Sequence, residues 1–144
     1  MGQEVLDEVT GYLLKRVHAA LRAEMEAVLR PLGLTVAQYA CLEVLDRADA
    51  VTSAQLAREA FISRQSMTVL LSGMESRGWV EVVRGKGRAR PYRITATGRA
   101  ALDPGRAAVT DVEGRMVGAL DSGQRRDLHE LLGQCLHGLT VSGS

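Results

Sequence analysis

The sequence of 144 residues predicts a mainly α-helical chain carrying one small β-hairpin, and three observations lead there. Apolar residues recur every three or four positions over long stretches near both ends. In the middle, two short segments each open on a capping signal and stand only a few residues apart. Directly after them the period changes to a short β-branched run bounded by glycine, the mark of a strand.

Composition sets the frame. The length suits one domain, or a small domain with helical extensions. Hydrophobic residues make up 46% of the chain and aromatics only 3%, so the core is expected from Leu, Val, Ala and Met. No apolar run approaches the ~18 residues of a membrane span and no signal peptide is evident, which predicts a cytoplasmic protein with no membrane partner. Two cysteines, Cys41 and Cys135, are too few for a disulfide framework.

Taken in order, Leu6, Val9, Leu13, Val17, Leu21, Met25 and Val28 stripe one face of a helix from about Glu4 to Arg30, closed by Pro31 and Gly33. Thr35 with Gln38 reads as a capping box opening a second helix. Val36, Tyr39, Ala40, Leu42, Val44 and Leu45 leave that helix apolar nearly all round, so deep burial is expected. Thr52-Ser53-Ala54-Gln55 repeats the capping signal for a short helix through Ala60. Phe61-Ile62-Ser63 is a tight connector, and Ser63 caps a further helix from Arg64 to about Arg77, ended by Gly78. Met67, Leu70, Leu71 and Met74 form its apolar face, with Arg64, Gln65, Thr68 and Ser72 opposite. Two short helices joined by a turn, the second amphipathic, describe a helix-turn-helix.

Trp79 to Val83 predicts one strand and Tyr92 to Ile94 its partner, with Gly85 and Gly87 at the turn and Pro91 near a strand start. After Thr95-Ala96-Thr97-Gly98 helical spacing resumes through Leu102, Val109, Val112, Met116 and Leu120. Asp103-Pro104-Gly105 is expected to kink or restart that helix. Asp121 or Ser122 then caps a last helix aligning Leu128, Leu131, Leu132, Cys135 and Leu139. The final residues, 141–144, form a tail.

Charge is distributed unevenly. Between Arg77 and Arg99 stand seven Arg or Lys and one acid, Glu81, a window of net +6 in a chain of formal charge +1, so the remainder carries −5. Five of those cations, Arg84, Lys86, Arg88, Arg90 and Arg93, crowd the hairpin. A local positive field of this kind predicts a polyanion docking at one place.

This ordered set resembles the MarR family of bacterial transcriptional regulators over nearly the whole chain. The recognition-helix segment Ser63-Arg64-Gln65-Ser66-Met67-Thr68, leading through Leu70, Met74-Glu75 and Arg77-Gly78 to Val80, is similar to the family's Ser-Arg-Ser-Thr-Val-Thr and Leu-Glu-x-Arg-Gly-Leu-Val. Gly87-Arg88-Ala89-Arg90, Ile94-Thr95 through Gly98, and Leu32-Gly33-Leu34-Thr35 with Gln38-Tyr39 resemble the wing exit, the opening of the next helix and the entry to the second helix. Three features depart from the family pattern. The wing is about two residues shorter, with Lys86-Gly87 where Asp-x-Arg is usual. Val69 and Gly73 occupy positions often basic in relatives. Asp103-Pro104-Gly105 falls in a helix usually continuous.

The resemblance implies a winged helix-turn-helix core (35–98) flanked by N- and C-terminal dimerisation helices (1–34 and 99–140). The long apolar stripes at both ends agree, because one small core cannot cover them and a second copy is the simplest cover. The implied function is a homodimeric repressor on a pseudo-palindromic operator of double-stranded DNA. The candidate DNA contacts are Ser53, Gln55, Ser63, Arg64, Gln65, Ser66, Thr68 and Ser72 in the helix-turn-helix, and Arg84, Lys86, Arg88 and Arg90 in the wing. Arg and Gln side chains suit bidentate pairing with guanine and adenine, and Arg suits a narrow minor groove. The family's usual switch is a small aromatic or phenolic effector, for which Tyr12, Arg16, Tyr39 and Cys41 are the candidate pocket.

Competing readings attach to several of these residues. Cys41, mid-helix among apolar neighbours, is either a redox switch of an oxidation-sensing regulator or a small buried hydrophobe. A winged helix can also serve as a protein–protein interaction module. His129 and His137 stand eight apart, too far for an i, i+4 chelate, so no metal site is expected. Gly85-x-Gly87 lacks the following helix of a nucleotide fingerprint. No catalytic constellation or cofactor is expected.

Overall fold

The computed structural model describes residues 8–84 and 90–141. Along the chain run α1 (Thr10–Leu29), a 3-10 turn (Arg30–Leu32), α2 (Val36–Asp46), β1 (Val51–Thr52), α3 (Ser53–Glu59), α4 (Arg64–Ser76), β2 (Val80–Val82), β3 (Pro91–Ile94), α5 (Ala96–Met116) and α6 (Ser122–Val141).

Local chemistry explains most boundaries. Thr35 and Thr52 each accept from the backbone N–H three residues on, while Gln38 and Gln55 reach back to the threonine N–H, closing two reciprocal capping boxes. Ser63 Oγ accepts from Ser66 N at 3.1 Å and starts α4. Asp121 caps α6, its Oδ1 accepting from Gln124 N at 2.8 Å. Three helical segments end in a left-handed residue followed by a bond back to the last turn: Gly33, Phe61 and Gly78. At the first and third of these, glycine adopts the positive φ without a Cβ clash. At the second the residue is Phe61, with φ 55° and an almost wholly exposed ring, 96% accessible.

The sheet has three antiparallel strands in the order β1-β3-β2, not the two expected from sequence. Val51 and Thr52 pair with Tyr92 and Pro91, and Val80, Glu81 and Val82 pair with Ile94, Arg93 and Tyr92. Thr52 thus ends a strand and caps α3 at once, and two residues are too few to display an alternating pattern. Thr95 joins sheet to helix: its Oγ1 accepts from Gly98 N at 3.0 Å and donates to the Gly78 carbonyl at 2.5 Å.

The core gathers Leu29, Leu42, Leu45, Leu56, Met67, Leu71, Met74 and Leu102 from five helices, all completely or almost completely buried. The helix does not restart at Asp103-Pro104-Gly105, and α5 runs on through Pro104. Proline in a helix interior costs about 3 kcal/mol. Burial of Leu102, Val109 and Val112 on both sides of it offsets that cost, each such side chain contributing roughly 1.5–3 kcal/mol. Gly105 lets the helix approach closely, since a Cβ there would meet Leu34 Cδ1 at 2.8 Å and Leu29 Cδ2 at 3.2 Å.

Burial is lopsided at the two ends. On α1 the stripe is half-covered at Leu21, Met25 and Val28 but exposed at Leu13 and Val17, as is Val9 just before the helix. Helix α6 buries none of its residues within the chain, and Leu131, Leu136 and Leu139 lie open. No single described helix is long and apolar enough to cross a membrane.

Candidate nucleic-acid interface and its attachment to the helical extensions

Helix α4 divides cleanly into two faces. Met67, Leu71 and Met74 are buried with Leu70 partly covered, while Arg64, Gln65, Ser66, Thr68 and Ser72 are all exposed. The polar face therefore makes no contribution to the core and is free for an external partner. Two hydroxyls are already engaged: Ser63 Oγ in the cap, and Thr68 Oγ1, which donates to the Arg64 carbonyl at 3.0 Å. Gln55 is exposed, but its Oε1 accepts from Thr52, and Ser53 is half-buried at the head of α3.

Several cations of the basic window are engaged within the chain. Arg93 Nε lies 2.6 Å from Glu81 Oε1, directly across the β2–β3 ladder. Arg99 reaches Asp46 at 3.2 Å. Arg77 stacks its guanidinium 4.7 Å from the Trp79 ring centre and donates to the Gly33 carbonyl at 3.3 Å, tying the end of α4 to the turn after α1. Arg84 and Arg90 remain exposed where the strands leave the sheet. Lys86 and Arg88 lie outside the described residues.

A polar cluster unforeseen in the sequence joins α2 to α5. Arg106 Nε donates to Glu43 Oε1 and Arg106 Nη2 to Asp46 Oδ2, both at 2.7 Å. Arg47 lies 3.4 Å from Glu43 Oε2, and Tyr39 OH donates to Glu43 Oε1 at 3.1 Å. The Arg106 guanidinium, with Arg99, holds the Asp46 carboxyl below its ordinary range. Burial, then the Glu43 charge, pushes the Tyr39 phenol up to about 12. A signal was present in the sequence: Glu43 and Asp46 sit one turn apart on an otherwise apolar helix, and half-buried carboxylates need cations.

Among the described residues, the four candidate effector residues lie in two separate places. Tyr12 and Arg16 lie in the first turns of α1, whereas the Tyr39 ring packs beside Gly105 near Leu29. At 1.5 Å per residue, Tyr12 stands about 25 Å along α1 from Leu29. Cys41 is completely buried with its sulfur 3.6 Å from Met67 Sδ, and burial pushes its thiol up to about 12. These are the properties of a small core hydrophobe. Cys135 is exposed. An open cleft of about 500 Å³ lies elsewhere, between α1, the start of α2 and the α3–α4 turn, bordered by His18, Arg22, Met25, Val36, Phe61 and Ile62 among others. The sequence marked none of these as ligand residues, because each belongs to an ordinary helical stripe or turn.

A helix-turn-helix backed by a three-stranded sheet, with cations where the outer hairpin leaves the sheet, defines a winged helix-turn-helix protein. The chain belongs to the MarR family. That family's model matches residues 32–91. The HTH-type transcriptional repressor Rv2887 of Mycobacterium tuberculosis is 38% identical over 128 residues, covering 88% of this chain and 92% of that protein. The crystal structure of Rv2887 in complex with salicylic acid has a TM-score of 0.75 at 37% identity, covering 90% of this chain and 97% of that one. Its complex with DNA has a TM-score of 0.74 at 36% identity, with 90% and 98% covered.

Proposed function

We propose that this protein is a homodimeric transcriptional repressor that places α4 in the major groove of a pseudo-palindromic operator and the 84–93 wing in the adjacent minor groove. The observation that carries the proposal is the wholly exposed polar face of α4, from Arg64 to Ser72, beside a hairpin bearing Arg84 and Arg90. Relatives support it, being named as repressors, and one is crystallised with DNA. Arg64 and Gln65 are the base-reading side chains, with Ser53, Ser63, Ser66, Ser72 and the wing cations toward the backbone. Residues 35–98 form the DNA-binding core. Residues 1–34 and 99–140 pair with a second copy, which covers the open stripes of α1 and α6.

A small aromatic acid is the proposed effector, in keeping with the complex of Rv2887 with salicylic acid. The cleft beside Phe61 suits it better than Tyr12, Arg16, Tyr39 and Cys41. Apolar Met25, Val36 and Ile62 would receive a ring while Arg22 and His18 meet a carboxylate. Because the cleft touches both α1 and the turn leading into α4, filling it would shift the recognition helices relative to the dimer axis. Half-sites ~34 Å apart leave little tolerance for such a shift.

Titrating a duplex selected from random sequence, at several salt concentrations, tests the proposal. A log–log slope of several units with salt and a stoichiometry of two chains per duplex are expected. A salt-insensitive or absent interaction would sink it. Salicylate should weaken binding by the wild type, and Arg22→Ala should blunt that response.

A further inference from the structure

Val69 is an anomaly on α4. It lies one turn beyond Gln65 and beside Ser72, at the centre of the solvent face, and is 71% exposed. Nothing in the fold requires it there: a β-branched residue lowers helix propensity, and the buried face is already supplied by Met67, Leu71 and Met74. Its neighbours Gln65, Ser66, Thr68, Ser72 and Ser76 are polar, so it belongs to no apolar docking patch. Thr68 strengthens the pattern. Its hydroxyl proton is spent on the Arg64 carbonyl, so toward an outside partner the side chain offers a methyl group and an acceptor oxygen but no donor. The recognition face therefore carries the Val69 methyl groups at its centre and the Thr68 methyl further round the helix, among hydrogen-bonding side chains.

Within a major groove the base-edge group that matches a methyl cluster is the C5-methyl of thymine, which every other standard base pair edge lacks. We propose that Val69 is a specificity-determining contact to a thymine methyl in each half-site. This inference rests on the placement of α4 in the major groove. Gln65, one turn earlier on the same face, suits an adenine close to that thymine.

The test uses the full chain and the duplex selected above, with each thymine replaced in turn by deoxyuridine, which removes the methyl alone. At one position per half-site, uracil should weaken wild-type binding about three- to tenfold, the worth of a buried methyl. Val69→Ala should weaken binding to the thymine duplex by a similar factor and lose all further sensitivity to uracil at that position. The variant is expected to fold, since alanine is the better helix former at an exposed site, and its helical circular dichroism checks this. If the wild type binds and every uracil penalty is the same in Val69→Ala, the thymine contact is overturned while DNA binding stands. If the wild type binds no duplex, both readings fall.

Discussion

Arg106 and Glu43 meet across the boundary between the long helix α5 and the buried helix α2, with Nε 2.7 Å from Oε1. The same guanidinium holds Asp46 through Nη2, so one planar fork grips two carboxylates one turn apart. Helix α5 runs toward the proposed dimer end, and α2 packs beneath the helix-turn-helix. The pair therefore ties α5 to α2.

Replacing Arg106 by alanine should cost about 1–3 kcal/mol, because the Glu43 side chain is only 13% exposed and would lose its best donor. Urea denaturation measures it. Arg106→Lys should recover part of the loss, since one ammonium cannot bridge both acids in a planar fork. A loss below about 0.5 kcal/mol would place the cluster among inert surface pairs.

Acidification tests Asp46. Its folded pKa is depressed, chiefly by the hydrogen bond from Arg106, so the unfolded chain binds protons first. The stability it contributes is fully present above the unfolded value of about 3.9 and is lost as pH falls through the lower folded value. Wild-type stability should fall with pH more steeply than that of Asp46→Asn below about pH 4. Parallel curves would show that the Arg106 contact does not bias Asp46.

Two glycines should respond in opposite ways. At Gly98 a Cβ would stand 2.2 Å from the Trp79 carbonyl oxygen and 2.8 Å from Ile94 Cγ1, and backbone cannot step aside. Gly98→Ala should lower stability by about 1–3 kcal/mol or more. At Gly73, in the exposed part of α4, a Cβ meets nothing within 4 Å, so Gly73→Ala should raise stability by roughly 0.5–1 kcal/mol. Melting temperatures of both variants decide the point.

Thiol chemistry separates the two cysteines. Cys41 is completely buried and its thiol is pushed up to about 12, so it should resist alkylation in the native protein and react only on unfolding. Peroxide sensitivity of DNA binding should be unchanged in Cys41→Ala. Rapid native labelling at Cys41 would instead revive the oxidation-sensing alternative.

Much of the fold was legible because its signals are local. Thr35 with Gln38 and Thr52 with Gln55 specify helix starts through side chains three residues apart. Gly33 and Gly78 mark stops through a backbone angle that glycine adopts freely. The Thr95-x-x-Gly98 motif was visible as a pattern, yet its cause was not. Thr95 caps one helix while holding the Gly78 carbonyl, and Gly98 clears the Trp79 backbone. Helix period likewise gave the buried face of α4 and, by subtraction, its polar one.

By itself the sequence determined the order and kind of the helices, the hairpin, and the residues of α4 that stay out of the core. Periodicity and capping act within a turn or two of chain, and no distant contact is needed to read them. Only the tertiary structure decided that Val51 and Thr52 become a third strand, that α5 continues through Pro104, and that Arg93 and Arg99 are spent on Glu81 and Asp46. The same holds for the grip of Arg106 on Glu43 across 63 positions. Each of these is settled by which groups meet after distant segments pack, where burial offsets a local cost and a neighbour's charge cancels a cation. A linear pattern records the groups but not their meeting.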